Sequence, residues 1–147
     1  MGNIAENRKA SFEYYLEDRF EAGIELVGSE VKSVRNQSVS LADSFCRIKN
    51  GEAYILNMFI SKYDKNSIEK IDERRTRKLL LHRSEINKLE RKVKEKGLAI
   101  VPIRVYFSGK HVKVEIALGR GKKLYDKKQT IKERDIKRET ERERSGK

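Results

Sequence analysis

Phe45-Cys46-Arg47-Ile48-Lys49-Asn50-Gly51-Glu52-Ala53-Tyr54-Ile55-Leu56-Asn57-Met58 holds two strand-like runs parted by Asn-Gly. Both turn residues tolerate positive φ, which a two-residue hairpin turn demands, so the stretch predicts a β-hairpin. Toward the C-terminus, Ile100 to Phe107 and His111 to Leu118 flank Ser108-Gly109-Lys110. Val112, Val114, Ile116 and Leu118 there keep a period of two, which predicts a second hairpin with one face inward. Toward the N-terminus, Phe12, Tyr14 and Leu16, then Phe20, Ala22, Ile24 and Leu26, keep the same period and predict strand in both stretches.

Helices are accessories in this reading. Ser29 is a candidate N-cap for a short helix in which Glu30 suits the positive end and Val31 and Val34 share a face. Ser84 is a candidate N-cap for a second helix with Ile86, Leu89 and Val93 on one side and Gly97 as its stop. Ser61 to Arg77 carries few apolar groups and reads as a long surface loop, followed by the brief apolar run Lys78 to Leu81.

The 147 residues allow one domain of ordinary size and a tail. Lys and Arg number 35 against 23 Asp and Glu, a net charge of +12, which points to an anionic partner, nucleic acid or a membrane surface. The hydrophobic fraction of 37% is low but clustered, so a small core is expected. The longest apolar stretch, Leu98 to Ile103, falls far short of the roughly 20 residues of a membrane span. A single cysteine, Cys46, excludes an internal disulfide and a cysteine zinc cluster, and the cytoplasm is the expected compartment. From Gly119 to Lys147, 12 basic and 6 acidic residues surround only Leu124, Tyr125, Ile131 and Ile136 as sizeable apolar groups. The expected division is therefore a small barrel or sandwich over residues 1–118 and a basic tail over 119–147, disordered when free.

Catalytic readings find little support. Gly119-Arg120-Gly121-Lys122 is no phosphate loop, because such a loop needs Gly at Ile116 and Ser or Thr at Lys123. His82 and His111 have no metal-ligand spacing, and no motif singles out a carboxylate pair. The expectation is a protein that is no enzyme and holds no cofactor or metal. Basic residues interleaved with aromatics are better evidence, because cations meet phosphates while aromatic planes stack on bases. Phe12-Glu13-Tyr14-Tyr15, Tyr106-Phe107 and Lys122-Lys123-Leu124-Tyr125 offer this mixture. Alternation assigns Phe12, Tyr14 and Phe107 to the core, whereas Tyr125 has nothing nearby to pack against and suits an intermolecular contact. A general single-strand RNA binder and an RNA-processing enzyme are the competing classes.

Five blocks resemble the small protein B (SmpB) family of bacterial trans-translation. They are Asn7-Arg8-Lys9-Ala10, Phe20 to Leu26, Gly28 to Arg35, Arg75 to His82 and Gly121 to Lys127. The resemblance implies a mainly β fold: an oligonucleotide-binding-like antiparallel barrel of about six strands, about three helices and a disordered basic tail. It implies a monomer, without a membrane role, that binds the tRNA-like domain of tmRNA. With elongation factor Tu, such a protein delivers alanyl-tmRNA to stalled 70S ribosomes, its tail entering the decoding centre and empty mRNA channel as a helix. Carried over by motif, Glu21, Leu80 and His82 belong to the tmRNA-binding surface, with Asn7, Lys9 and Arg35 nearby. The tail contributes Lys122, Lys123, Tyr125, Asp126, Lys127, Lys128, Ile131 and Lys132 to the ribosome. Lys128 stands where the family commonly has Arg, keeping charge without the bidentate fork. Ile136 stands where some members carry an aromatic. Strand alternation requires that Leu79, Leu80 and Leu81 cannot all face one core. Periodicity does not say which lies outside; the resemblance selects Leu80.

Overall fold

The computed structural model describes residues 3–62 and 71–122. In chain order it contains β1 (Asn3–Glu6), α1 (Ala10–Glu13), β2 (Tyr14–Ile24), α2 (Gly28–Arg35), β3 (Val39–Ser40), β4 (Phe45–Lys49), β5 (Glu52–Leu56), β6 (Phe59–Ile60), β7 (Arg77–Leu80), α3 (Arg83–Lys96), β8 (Ala99–Ser108) and β9 (His111–Gly121). Antiparallel pairing runs β8-β4-β5-β7-β2-β9 and returns from β9 to β8, closing a six-stranded ring. This is the expected barrel, with three helices around it. Closure removes the exposed edges that an open sheet would present. β1 adds to the part of β8 beyond its contact with β4, and β3 pairs with β6 separately.

Both predicted hairpins are present. Asn50 and Gly51 have φ of 52° and 75°, and Lys49 stands opposite Glu52. In the second hairpin Ser108 stands opposite His111, so the connection is Gly109-Lys110, one residue shorter than expected. β8 contains Pro102, which cannot donate to a ladder. The register slips between Pro102 and Arg104, and Asn7 covers the irregularity: its backbone N–H donates to the Ile103 carbonyl at 2.7 Å.

Inside the ring lie Ala22, Ile24, Ile55, Leu79, Val105, Val114, Ile116 and Leu118, with Val34 of α2 and Leu89 of α3 packed onto them. Several expectations are corrected. Phe12 belongs to α1, not to a strand, and is 77% exposed rather than core. Strand β2 begins at Tyr14 and gains an extra residue between Leu16 and Arg19, a bulge that resets its alternation. Neither serine is an N-cap: α2 is capped at Val27 and α3 at His82. Glu30 and Glu85, three residues on, reach back to accept the Val27 and His82 backbone N–H at 3.1 and 3.0 Å, so each helix starts before its serine. Gly97 ends α3 in the left-handed region, as expected.

The predicted loop from Ser61 to Arg77 includes residues 63–70, which lie outside the described residues, but its last part is no surface loop. Arg77 begins β7 and is fully buried. The tail boundary also moves: β9 runs through Gly121, pairing Gly119, Arg120 and Gly121 with Leu16, Tyr15 and Tyr14. Gly119 permits this close seam, since a Cβ there would lie 3.0 Å from both Tyr14 Cβ and Val101 Cγ2.

Candidate nucleic-acid interface

Strand β7 carries Leu79 inward and Leu80 outward, 1% and 49% exposed. Its partner β2 places Gly23 opposite Leu80. A Cβ on Gly23 would come within 3.2 Å of Leu80 Cβ, so glycine leaves the leucine room against the sheet. Two residues back on the same face of β2 stands Glu21, exposed, while Ala22 between them is buried. Just past β7, His82 caps α3 with its side chain exposed. Glu21, Leu80 and His82 thereby line one open concavity of about 570 Å³, together with Lys78, Arg83 and Lys113 and with two further carboxylates, Glu85 and Glu52, the latter 3.5 Å from Lys78 Nζ and 3.6 Å from Arg83 Nη2. An apolar floor, a carboxylate acceptor and cations at the rim can contact base faces, base amino groups and phosphates respectively.

A buried ionic clamp holds β7 in place. Arg77 Nε donates to Glu30 Oε2 at 2.8 Å and its Nη1 donates to the Met58 carbonyl at 2.7 Å. Arg75 Nη2 donates to Glu30 Oε1 at 2.6 Å. Burial alone would raise the Glu30 carboxyl, but the Arg75 and Arg77 hydrogen bonds outweigh it and hold the group below the ordinary carboxylate range. Glu30 thus caps α2 and anchors the strand that presents Leu80.

Beside the concavity the outer faces of β2, β9 and β8 carry a polar network. Glu21 stands opposite Glu115, and Glu115 opposite Arg104, so two carboxylates are neighbours. Glu115 accepts from Arg19 Nη1 and Arg104 Nε, both at 2.7 Å. Burial opposes ionisation of Glu115, yet these two donors hold its carboxyl below the usual range. Glu21 instead accepts from the Tyr106 hydroxyl. Burial, then the Glu21 carboxylate, push the Tyr106 phenol up to about 12, so it remains a donor at neutral pH.

The other expected residues lie apart. Asn7 and Lys9 border a second cleft of about 550 Å³, shared with Phe45, Arg47, Val93 and Lys94. Asn7 Nδ2 donates to the Pro102 carbonyl at 2.9 Å, so this side chain braces the strand irregularity. Arg35 is exposed in the last turn of α2 and lines neither concavity. Lys122 is anchored: its Nζ donates to the Ser11 carbonyl at 2.8 Å and lies 4.8 Å from the Tyr15 ring centroid. Lys123, Tyr125, Asp126, Lys127, Lys128, Ile131 and Lys132 lie outside the described residues. Sequence reading missed Tyr106, Arg104 and Lys113 as neighbours of Glu21. The alternation of Arg104 and Tyr106 about inward Val105 was the available signal.

Among the described residues no cluster of three or more His, Cys, Asp or Glu could hold a metal ion, and no helix is long and apolar enough to cross a membrane. The family model described as SmpB protein matches residues 4–146. The chain is similar to the SsrA-binding protein of Caldanaerobacter subterraneus subsp. tengcongensis, 54% identical over 140 residues, which are 95% of this chain and 89% of that one. It is similar also to the SsrA-binding protein of Acholeplasma laidlawii, 51% identical over 147 residues, 100% of this chain and 99% of that one. A solved structure of tmRNA-SmpB in the bacterial ribosome superposes with a TM-score of 0.67 at 46% identity, covering 80% of this chain and 82% of that chain. Matched over nearly its whole length by the family model and by relatives about half identical to it, the chain belongs to the SmpB family.

Proposed function

We propose that this protein binds the tRNA-like domain of tmRNA and brings alanyl-tmRNA to stalled ribosomes for trans-translation. The observation that carries the reading is the meeting of Glu21, Leu80 and His82 at one concavity, in a chain of this family with a charge of +12. Leu80 packs on exposed RNA surface, Glu21 accepts from base amino groups, and the rim cations meet phosphates. Asn7, Lys9 and Arg35 act as outlying contacts, Asn7 chiefly through the backbone it braces. Elongation factor Tu accompanies the complex. The tail, rooted on the barrel at Lys122 and running through Lys132, engages ribosomal RNA in the decoding centre and vacant mRNA channel through its residues beyond Lys122. The role is binding and presentation, with no bond made or broken, by a monomer in the cytoplasm.

The test is competition for labelled tRNA-like domain among unlabelled tmRNA, tRNA and an unstructured strand at fixed salt. Displacement by tmRNA well before the other two is expected. Preference for the unstructured strand would instead identify a general single-strand binder.

A further inference from the structure

We propose that Tyr106 is a positioning residue that presets the Glu21 carboxylate for RNA. This rests on the reading of Glu21 as an RNA contact and adds a residue two strands away, on the far side of β9. Glu21 on β2 and Glu115 on β9 are directly opposed, and like charges so placed repel. The network separates their roles. Glu115 is occupied by Arg19 and Arg104, whereas Glu21 receives one neutral donor, the Tyr106 hydroxyl.

Tyr106 is itself held. The Arg104 guanidinium carbon lies 4.3 Å from its ring centroid, and its cross-strand neighbour is Lys113, which lines the same concavity as Glu21. A phenol can occupy one lone pair of the carboxylate and leave the others for RNA, without cancelling the charge as an arginine would. A glutamate on a strand exterior otherwise samples several rotamers, and fixing one on binding weakens affinity several-fold. The Tyr106 hydroxyl removes that cost beforehand.

A double-mutant cycle on the full chain tests this, measuring affinity for the tRNA-like domain and melting temperature for the parent, Tyr106→Phe, Glu21→Ala and the double variant. Tyr106→Phe keeps the ring under Arg104 and is expected to melt with the parent while binding about three- to tenfold more weakly. Alanine offers the phenol no acceptor, so in the Glu21→Ala background the same change is expected to have no further effect, a coupling that a merely structural role would not produce. Parental affinity for Tyr106→Phe alongside weak Glu21→Ala would overturn the positioning role and leave the binding site standing. Equal losses from Tyr106→Phe in both backgrounds would overturn it too, because Tyr106 would then act independently. Parental affinity for Glu21→Ala would show that Glu21 is no RNA contact and overturn the positioning role together with that part of the binding reading.

Discussion

Leu80 shows how one side chain can be apolar without serving the core. It is held open by the absence of a Cβ on Gly23, and its neighbour Leu79 supplies the inward contact. Leu80→Asp is therefore expected to melt within a few degrees of the parent, since surface changes cost about 0.5 kcal/mol or less, while tmRNA affinity falls about tenfold or more. Thermal melts and titration against the tRNA-like domain check both halves; a large drop in melting temperature would place Leu80 in the core. Alternation required one of three leucines to face outward, so an exposed leucine was legible in the pattern, while its identity came from the family resemblance and not from periodicity. Tyr106 was less legible still: its pairing with Glu21 depends on β9 lying between β2 and β8, a fact of register rather than of local pattern.

At the scale of elements, the hairpins and α3 were read almost as they stand, because Asn-Gly turns, period-two runs and a left-handed glycine stop are local signals. The Glu30 clamp was missed because Arg77 lies 47 residues from Glu30 and its burial has no periodic signature. Removing one partner leaves the other charge buried and uncompensated. Glu30→Gln is expected to lower stability at neutral pH by about 3–5 kcal/mol, read from urea unfolding midpoints. The pH dependence follows from the same geometry. Glu30 and Glu115 both have folded-state values below the ordinary carboxylate range, so the unfolded chain binds more protons in acid. Their contribution is complete above about pH 5, where the unfolded carboxylates are ionised, and is lost as pH falls through the folded values. Urea midpoints of the parent should therefore drop steeply below about pH 4, and Glu115→Gln should flatten that limb.

For the molecule as a whole, the tail begins after the seam that pairs β2 with β9. A chain ending at Lys122 keeps this seam and is expected to retain its melting temperature and most tmRNA affinity while failing to support tagging of stalled nascent chains. A chain ending at Leu118 loses the partners of Tyr14, Tyr15 and Leu16 and is expected to melt lower. Parental tagging by the chain ending at Lys122 would refute the division of labour between barrel and tail. Affinity for tmRNA is expected to fall with salt at a log–log slope of about −0.7 to −0.9 per neutralised phosphate, measurable by titration across ionic strengths. The β2–β9 seam also governs how the protein comes into being. Its two strands are nearly the first and last of the fold, so the loop that must close before they pair spans most of the domain. On a translating ribosome, closure must wait until Gly121 has been made, at about 5–20 residues per second. Until then five strands of the ring stand without the sixth, and β2 and β8, which β9 joins, keep an apolar face uncovered for the seconds that synthesis of the remaining chain takes.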